Sequence, residues 1–218
     1  MASARAQAEA LDLAGAADAF DAAVAAGCQD ARLSALYLRG WIAARTAYRF
    51  GGSPDSLAPV RKVLDELEAR PPQAGGETEI ARFVLRAAIA AAQSERDEMA
   101  LLIEHAVELE TRRRSASLPG APVVTAHEAA GDLWLQVYRY DDARRAYRRA
   151  ADRIGPTRRV IVGLARTAVR MSDRAEACMQ YRALVAGWRA GDEAPEVAEA
   201  RAFVRQASCE AVGAKPPP

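Results

Sequence analysis

A repeat constrains this chain more than any other feature. Val137 to Tyr147 reads Val-Tyr-Arg-Tyr-Asp-Asp-Ala-Arg-Arg-Ala-Tyr, and Met171 to Tyr181 reads Met-Ser-Asp-Arg-Ala-Glu-Ala-Cys-Met-Gln-Tyr, an offset of 34 residues. At that offset Ala143 meets Ala177, Tyr147 meets Tyr181, Gly131 meets Ala165 and Ala150 meets Leu184. A unit recurring at this period cannot bury its own apolar face, so it shelters by stacking on its neighbours.

Each unit reads as two helices. Ala130, Leu133, Trp134 and Val137 line one face of a helix over 126–138, and Ala143, Ala146, Tyr147 and Ala150 line a second, which Asp141 or Asp142 can cap and Gly155-Pro156 ends. Val160, Leu164 and Thr167, then Ala177, Tyr181 and Leu184, repeat the plan. The small residue lets the first helix approach its partner, and the aromatic fills the hole between that pair and the next.

These residues resemble the tetratricopeptide repeat, in the form of a bacterial-type helical repeat protein. Gly131, Ala143, Tyr147, Ala150 and Pro156 carry the likeness, with Ala165, Ala177, Tyr181 and Leu184 a looser second copy. The resemblance implies a right-handed α-solenoid of antiparallel helix pairs whose concave face holds peptides.

Upstream the period weakens while the plan continues. Residues 2–13 and then Ala16, Phe20 and Ala23 predict one pair. Leu36, Gly40 and Ala43, then Leu57, Val60, Leu64 and Leu67 predict the next, and Ile80, Phe83, Ala87 and Ala90, then Met99, Ile103 and Ala106 a third. A helix carrying Val197, Ala200, Val204 and Ala207 reads as a cap. The expectation is an all-α domain over 1–212: five pairs, clearest at 124–157 and 158–191, a cap over 194–211, and a disordered tail over 213–218. Two Pro/Gly-rich loops interrupt it, near Pro71 and near Pro119.

Hydrophobic residues make up 50% of the chain but aromatics only 6%, so alanine carries much of the core, as closely approaching helices require. Lys+Arg 30 against Asp+Glu 29 leaves a net charge of +1, so bulk electrostatics recruit neither nucleic acid nor an anionic membrane surface. Arginines cluster at Arg112–Arg114, at Arg144, Arg145, Arg148, Arg149 and Arg153, and at Arg158 and Arg159, a stripe that phosphates would fit. Yet Asp141, Asp142 and Asp152 stand among them, and no interleaved aromatics offer base stacking. Only Lys62 and Lys215 are lysines, and asparagine is missing; on solvated helix faces arginine and lysine are expected to serve equally. No stretch approaches the roughly 20 apolar residues of a membrane span.

Two histidines offer the only conventional chemistry. His105 lies among Glu104 and Glu108, and His127 precedes Glu128, but a zinc helix would need a second histidine four residues away. Phosphate loops and nucleophile elbows are lacking. The chain is expected to be no enzyme and to hold no metal or cofactor. The cysteines Cys28, Cys178 and Cys209 lack metal-ligand spacing. If the helix near 174–189 packs antiparallel to the cap, Cys178 and Cys209 fall at similar heights. A disulfide there would staple the cap and imply a periplasmic or secreted protein; two buried thiols, compatible with the cytoplasm, are the alternative.

The resemblance places ligand contacts on the first helix of each pair: Glu128, Asp132, Leu135 and Gln136, then Arg159, Val162, Arg166 and Val169, with Thr125 alongside. Family members that clamp a C-terminal carboxylate use asparagine with lysine and arginine, a pattern from which this chain departs, though Arg159 and Arg166 remain able to attract an acidic peptide. The resulting expectation is a non-catalytic scaffold for a protein or peptide. A self-assembling module that stacks on identical chains, or a helical enzyme or regulator using His105 or His127, are the other readings.

Overall fold

The structure, a computed structural model, describes residues 12–28, 31–70, 76–112, 124–188 and 194–209. Among the described residues the chain is all-helical, with ten α-helices and no strand: α1 (Leu13–Ala25), α2 (Ala31–Arg49), α3 (Pro54–Glu68), α4 (Glu77–Ala92), α5 (Arg96–Arg112), α6 (Ala126–Gln136), α7 (Tyr140–Ile154), α8 (Arg158–Arg170), α9 (Arg174–Ala186) and α10 (Pro195–Gln206). Each helix packs on the next. In addition α2 touches α4, α4 touches α6 and α6 touches α8, so these four form a row, and α3, α5 and α7 each rest between two of its members.

Local chemistry sets the helix starts. Ser53, Thr125, Thr157 and Asp173 each accept a bond from the backbone N–H three residues on. Thr125 does so within a reciprocal pair, because the Glu128 carboxylate in turn accepts from the Thr125 N–H at 3.1 Å. Asp141 and Asp142 are not the cap expected for α7. Arg139 occupies that position without a side-chain cap bond, and the two aspartates sit in the first turn, paired with Arg144 and Arg145. The helix expected over 2–13 lies outside the described residues except at its end, where Asp12 caps α1 by accepting from the Gly15 N–H at 2.8 Å. The tail over 213–218 also lies outside them.

One turn recurs where a row helix passes to the next element. Gly51, Ser94, Tyr138 and Ser172 all have positive φ, at 73°, 66°, 65° and 59°. After each, the following N–H reaches back to a carbonyl near the helix end: Gly52 to Ala47, Glu95 to Ala90, Arg139 to Trp134 and Asp173 to Ala168, each at 2.9 Å. Left-handed backbone suits Gly51; a tyrosine at Tyr138 does not.

Packing follows the small-and-aromatic plan. Tyr147 is buried with its ring against two glycines. A Cβ at Gly131 would lie 2.5 Å from that ring, and one at Gly163 would lie 2.2 Å from it. The ring therefore seats where α6 and α8 both offer bare backbone. Tyr181 is buried likewise, its ring 5.0 Å from that of Phe203 on α10. Val197 and Ala200 are the buried face of α10, with Val204 and Ala207 half-buried beside them.

Arginine is not interchangeable with lysine here, against the sequence expectation. Arg82 donates to three carbonyls at the end of α3, those of Leu67 (3.0 Å), Glu68 (3.2 Å) and Arg70 (2.9 Å). Arg153 donates to the Thr111 carbonyl at 3.1 Å, and Arg174 to that of Ala207. A planar fork of donors reaches several carbonyls at once, which a single ammonium does not. Much of the basic stripe is engaged with carboxylates or a ring, although Arg148 stays exposed. Arg144 and Arg145 pair with Asp141 and Asp142, Arg149 lies 3.4 Å from Glu104, and Arg158 covers the Trp188 ring at 4.5 Å. Arg113 and Arg114 lie outside the described residues.

Candidate functional site

Along one side of the row runs a cleft of about 700 Å³. Its lining comes mainly from α2 (Arg45, Tyr48, Arg49), α6 and the turn after it (Asp132, Leu135, Gln136, Tyr138), α8 (Arg159, Val162, Arg166, Val169, Arg170) and α10 (Glu196, Glu199), with Leu13, Tyr147 and Tyr181 also exposed to it. The volume falls within the roughly 300–1,000 Å³ of ordinary ligand clefts.

Polar side chains converge at two nodes. At the first, Asp132 lies 2.6 Å from Arg45 and 3.7 Å from Arg159, and accepts the Tyr147 hydroxyl proton's hydrogen bond. Burial, then the Asp132 charge, raise the Tyr147 pKa well above its ordinary value, so this hydroxyl stays a donor. At the second node, Arg166 grips Glu199 with two nitrogens, at 3.1 and 2.6 Å, and lies 3.7 Å from Glu196, while the Tyr181 hydroxyl donates to the same Glu199. Burial works against both charges of that pair. The Glu199 bonds nevertheless raise the Arg166 pKa, and the bonds from Arg166 and Tyr181 lower that of Glu199. Each tyrosine thus does double duty, its ring seating a helix and its hydroxyl anchoring a cleft carboxylate. Tyr48 joins α2 to α6 by donating to the Gln136 carbonyl at 2.6 Å. Its pKa is raised, first by burial and then by a hydrogen bond with Tyr138.

Of the residues expected on the ligand face, Asp132, Leu135, Gln136, Arg159, Val162, Arg166 and Val169 all line the cleft. Glu128 does not. Its carboxylate is buried within the fold, accepting from Thr125 and from the Thr157 hydroxyl at 2.9 Å, with Arg159 3.8 Å away. Thr125 is the cap of α6. Sequence reasoning passed over Arg45, Tyr48 and Arg49, which continue down α2 the face that begins with the buried Tyr37 and Trp41 at helical spacing. It also missed Tyr138, Arg170, Glu196 and Glu199.

The histidines stand elsewhere. His105 is exposed and meets Phe83 edge-on at 4.4 Å. His127 is buried, its Nε2 3.3 Å from the Thr111 hydroxyl, and its pKa is pushed down to about 4 by burial and by Arg149 and Arg153. Among the described residues no three or more His, Cys, Asp or Glu side chains gather as metal ligands would, and no described helix is long and apolar enough to cross a membrane. Cys178 and Cys209 form a disulfide, Cα to Cα 5.4 Å, that ties the start of α9 to the residues just after α10. Cys28 is a free, half-buried thiol.

Compared with known proteins, the chain matches no family model, no curated protein and no solved structure.

Proposed function

We propose that the chain is a non-catalytic scaffold, a single solenoid of antiparallel helix pairs over residues 1–212 related to the tetratricopeptide repeat, which binds a peptide or protein segment along the row of α2, α6 and α8. The observation that carries this reading is the cleft itself, to which α2, α6 and α8 of the row contribute although distant in sequence, α4 lending it no side chain. Further support comes from the order of contacts, in which successive helices pack and alternate ones touch in series, as stacked hairpins would. The cleft's carboxylates are engaged with arginines and tyrosines, and neither histidine reaches it; these are the features of a built wall, not of an acid-base pair. The Cys178–Cys209 bond supports work in an oxidising compartment, periplasmic or secreted.

The experiment is selection of peptides on the folded chain, followed by titration against variants of half-exposed lining residues that hold no ion pair. Val169→Glu should abolish binding of the selected peptides without lowering the melting temperature, and Leu135→Glu, which also strips a side chain packed against the Tyr147 and Val160 cluster, should abolish it with some loss of stability. Retention of full affinity by both would put binding on another face. Sedimentation across a concentration series checks the competing reading: a chain that assembles with itself at micromolar concentration through this face would be a structural module instead.

A further inference from the structure

The cleft's charge is divided unequally between groups that are spent and groups that are free. Its carboxylates are spent: Asp132 on Arg45 and Tyr147, Glu199 on Arg166 and Tyr181, and Glu196 near Arg166 at 3.7 Å. The arginines singled out from the sequence as attractive to an acidic peptide are both held against carboxylates, Arg166 on Glu199 and Arg159 at the longer 3.7 Å from Asp132, with the buried Arg159 Nε making no hydrogen bond. Two lining arginines are not. Arg49 and Arg170, the last residues of α2 and α8, are exposed and have no carboxylate partner among the described residues. A chain whose net charge is only +1 therefore keeps unneutralised positive charge in this cleft.

A second observation falls on the same surface. Tyr138 is 62% exposed with φ at 65°, at the turn position that glycine or serine fills after α2, α4 and α8. A bulky side chain in left-handed backbone costs about 1 kcal/mol, and this one recovers little by burial. Within the chain this side chain meets Tyr48 by a hydrogen bond and Tyr140 edge-on at 6.4 Å, yet most of it stays exposed, so the strained turn keeps an aromatic open to a ligand on the cleft wall. Val169, 40% exposed, extends the apolar part of the same lining.

Resting on the peptide-binding reading above, we propose that the cleft takes an acidic, non-terminal segment of a partner polypeptide, with carboxylate side chains on Arg49 and Arg170 and an aromatic or aliphatic side chain on Tyr138. The two free cations close different helices, α2 and α8, so the proposal gives each its own carboxylate along an extended segment. Their attraction is salt-sensitive, because both are exposed.

The test uses the full chain with its disulfide intact and a random peptide library displayed between constant flanks, so that no free C-terminus is offered. Enriched sequences, resynthesised with both ends blocked, are titrated by fluorescence anisotropy at low and high salt. The expected result is a set of net acidic peptides with an apolar residue beside the acids, whose affinity falls as salt rises. Arg49→Glu with Arg170→Glu should cost roughly tenfold or more in affinity. Arg49→Gln with Arg170→Gln, which adds no charge to the fold, should give a smaller loss in the same direction. Tyr138→Gly relieves the left-handed backbone and gives up the Tyr48 hydrogen bond, so it should shift the melting temperature little and yet bind several-fold more weakly, a split that a purely structural tyrosine would not produce. Neutral or basic peptides, affinity indifferent to salt, or unchanged binding by the glutamine pair would overturn the acidic preference while leaving peptide binding in place. Absence of enrichment on the parent chain would overturn both.

Discussion

The two ends of the molecule are held together differently. From α1 to α6 a single apolar cluster runs without a break through Phe20, Trp41, Leu57, Leu85, Ile103 and Leu133, filled out by alanines. Beyond it the core divides into two small clusters, one around Tyr147 and Val160, the other around Tyr181, Leu184, Trp188 and Val197. What the second region lacks in continuous apolar contact is supplied by tyrosine–carboxylate bonds, the Arg166–Glu199 pair and the Cys178–Cys209 disulfide. The region with the most regular sequence thus has the smaller core. A period is most visible where a few aromatic and glycine positions carry the packing, and least visible where many interchangeable alanines share it.

That contrast is open to direct attack. Tyr147→Ala removes the ring between Gly131 and Gly163 and should cost about 3–5 kcal/mol in urea unfolding. A smaller loss would mean that α6 and α8 close on the gap and that the ring is less central than its burial implies. Next in size is the disulfide. With its ends 31 positions apart in sequence, replacing both Cys178 and Cys209 by serine should cost about 3–4 kcal/mol. Hydrogen exchange should place that loss in α9 and α10 and leave α2 to α5 protected. Uniform loss of protection would show that the two regions unfold as one unit and dissolve the contrast.

His127 sits where the regions meet, near Thr111 at the end of α5 and Arg149 and Arg153 of α7. Its folded pKa of about 4 lies below the ordinary 6.5, so as the pH falls the unfolded chain takes up the proton first. Stability should be full above pH 6.5 and decline by about 2–3 kcal/mol on the way to pH 4. His127→Gln should flatten that stretch of the curve, and an unchanged slope would assign it to other groups. The smallest effect is expected at Gly163→Ala, where one methyl against the Tyr147 ring should cost about 1–3 kcal/mol. It should cost less in a Tyr147→Ala background, and the double-mutant cycle measures the coupling.

How far the site was legible in the sequence follows the same division. The face of α6 and α8 that reaches the cleft, with Asp132, Leu135 and Gln136, then Arg159, Val162, Arg166 and Val169, was indicated by the resemblance to the tetratricopeptide repeat, which implies ligand contacts on the first helix of each pair. Glu128 belongs to the same expected set yet lies within the fold. Its place three residues after Thr125 makes it the partner of a helix cap, and local hydrogen bonding outranked the face it was assigned to. Arg45, Tyr48 and Arg49 were hidden for another reason. They line the cleft because α2 bonds directly to α6, through Arg45–Asp132 and Tyr48–Gln136, across 87 and 88 positions of chain. Tyr138 was hidden because it follows the end of α6 in a left-handed turn more often filled by glycine or asparagine.

The sequence by itself indicated that the described residues are helical, which apolar stripe marks each helix, and that Tyr147 and Tyr181 anchor the two clearest pairs. These are near-neighbour matters, settled by alanine content and the three-and-four spacing of apolar residues. Only tertiary structure decided which arginines are spent on carboxylates and carbonyls and which remain free, and therefore which charge the cleft presents. Partners such as Arg166 and Glu199 are brought within hydrogen-bonding range by packing between helices, and no local pattern records that approach.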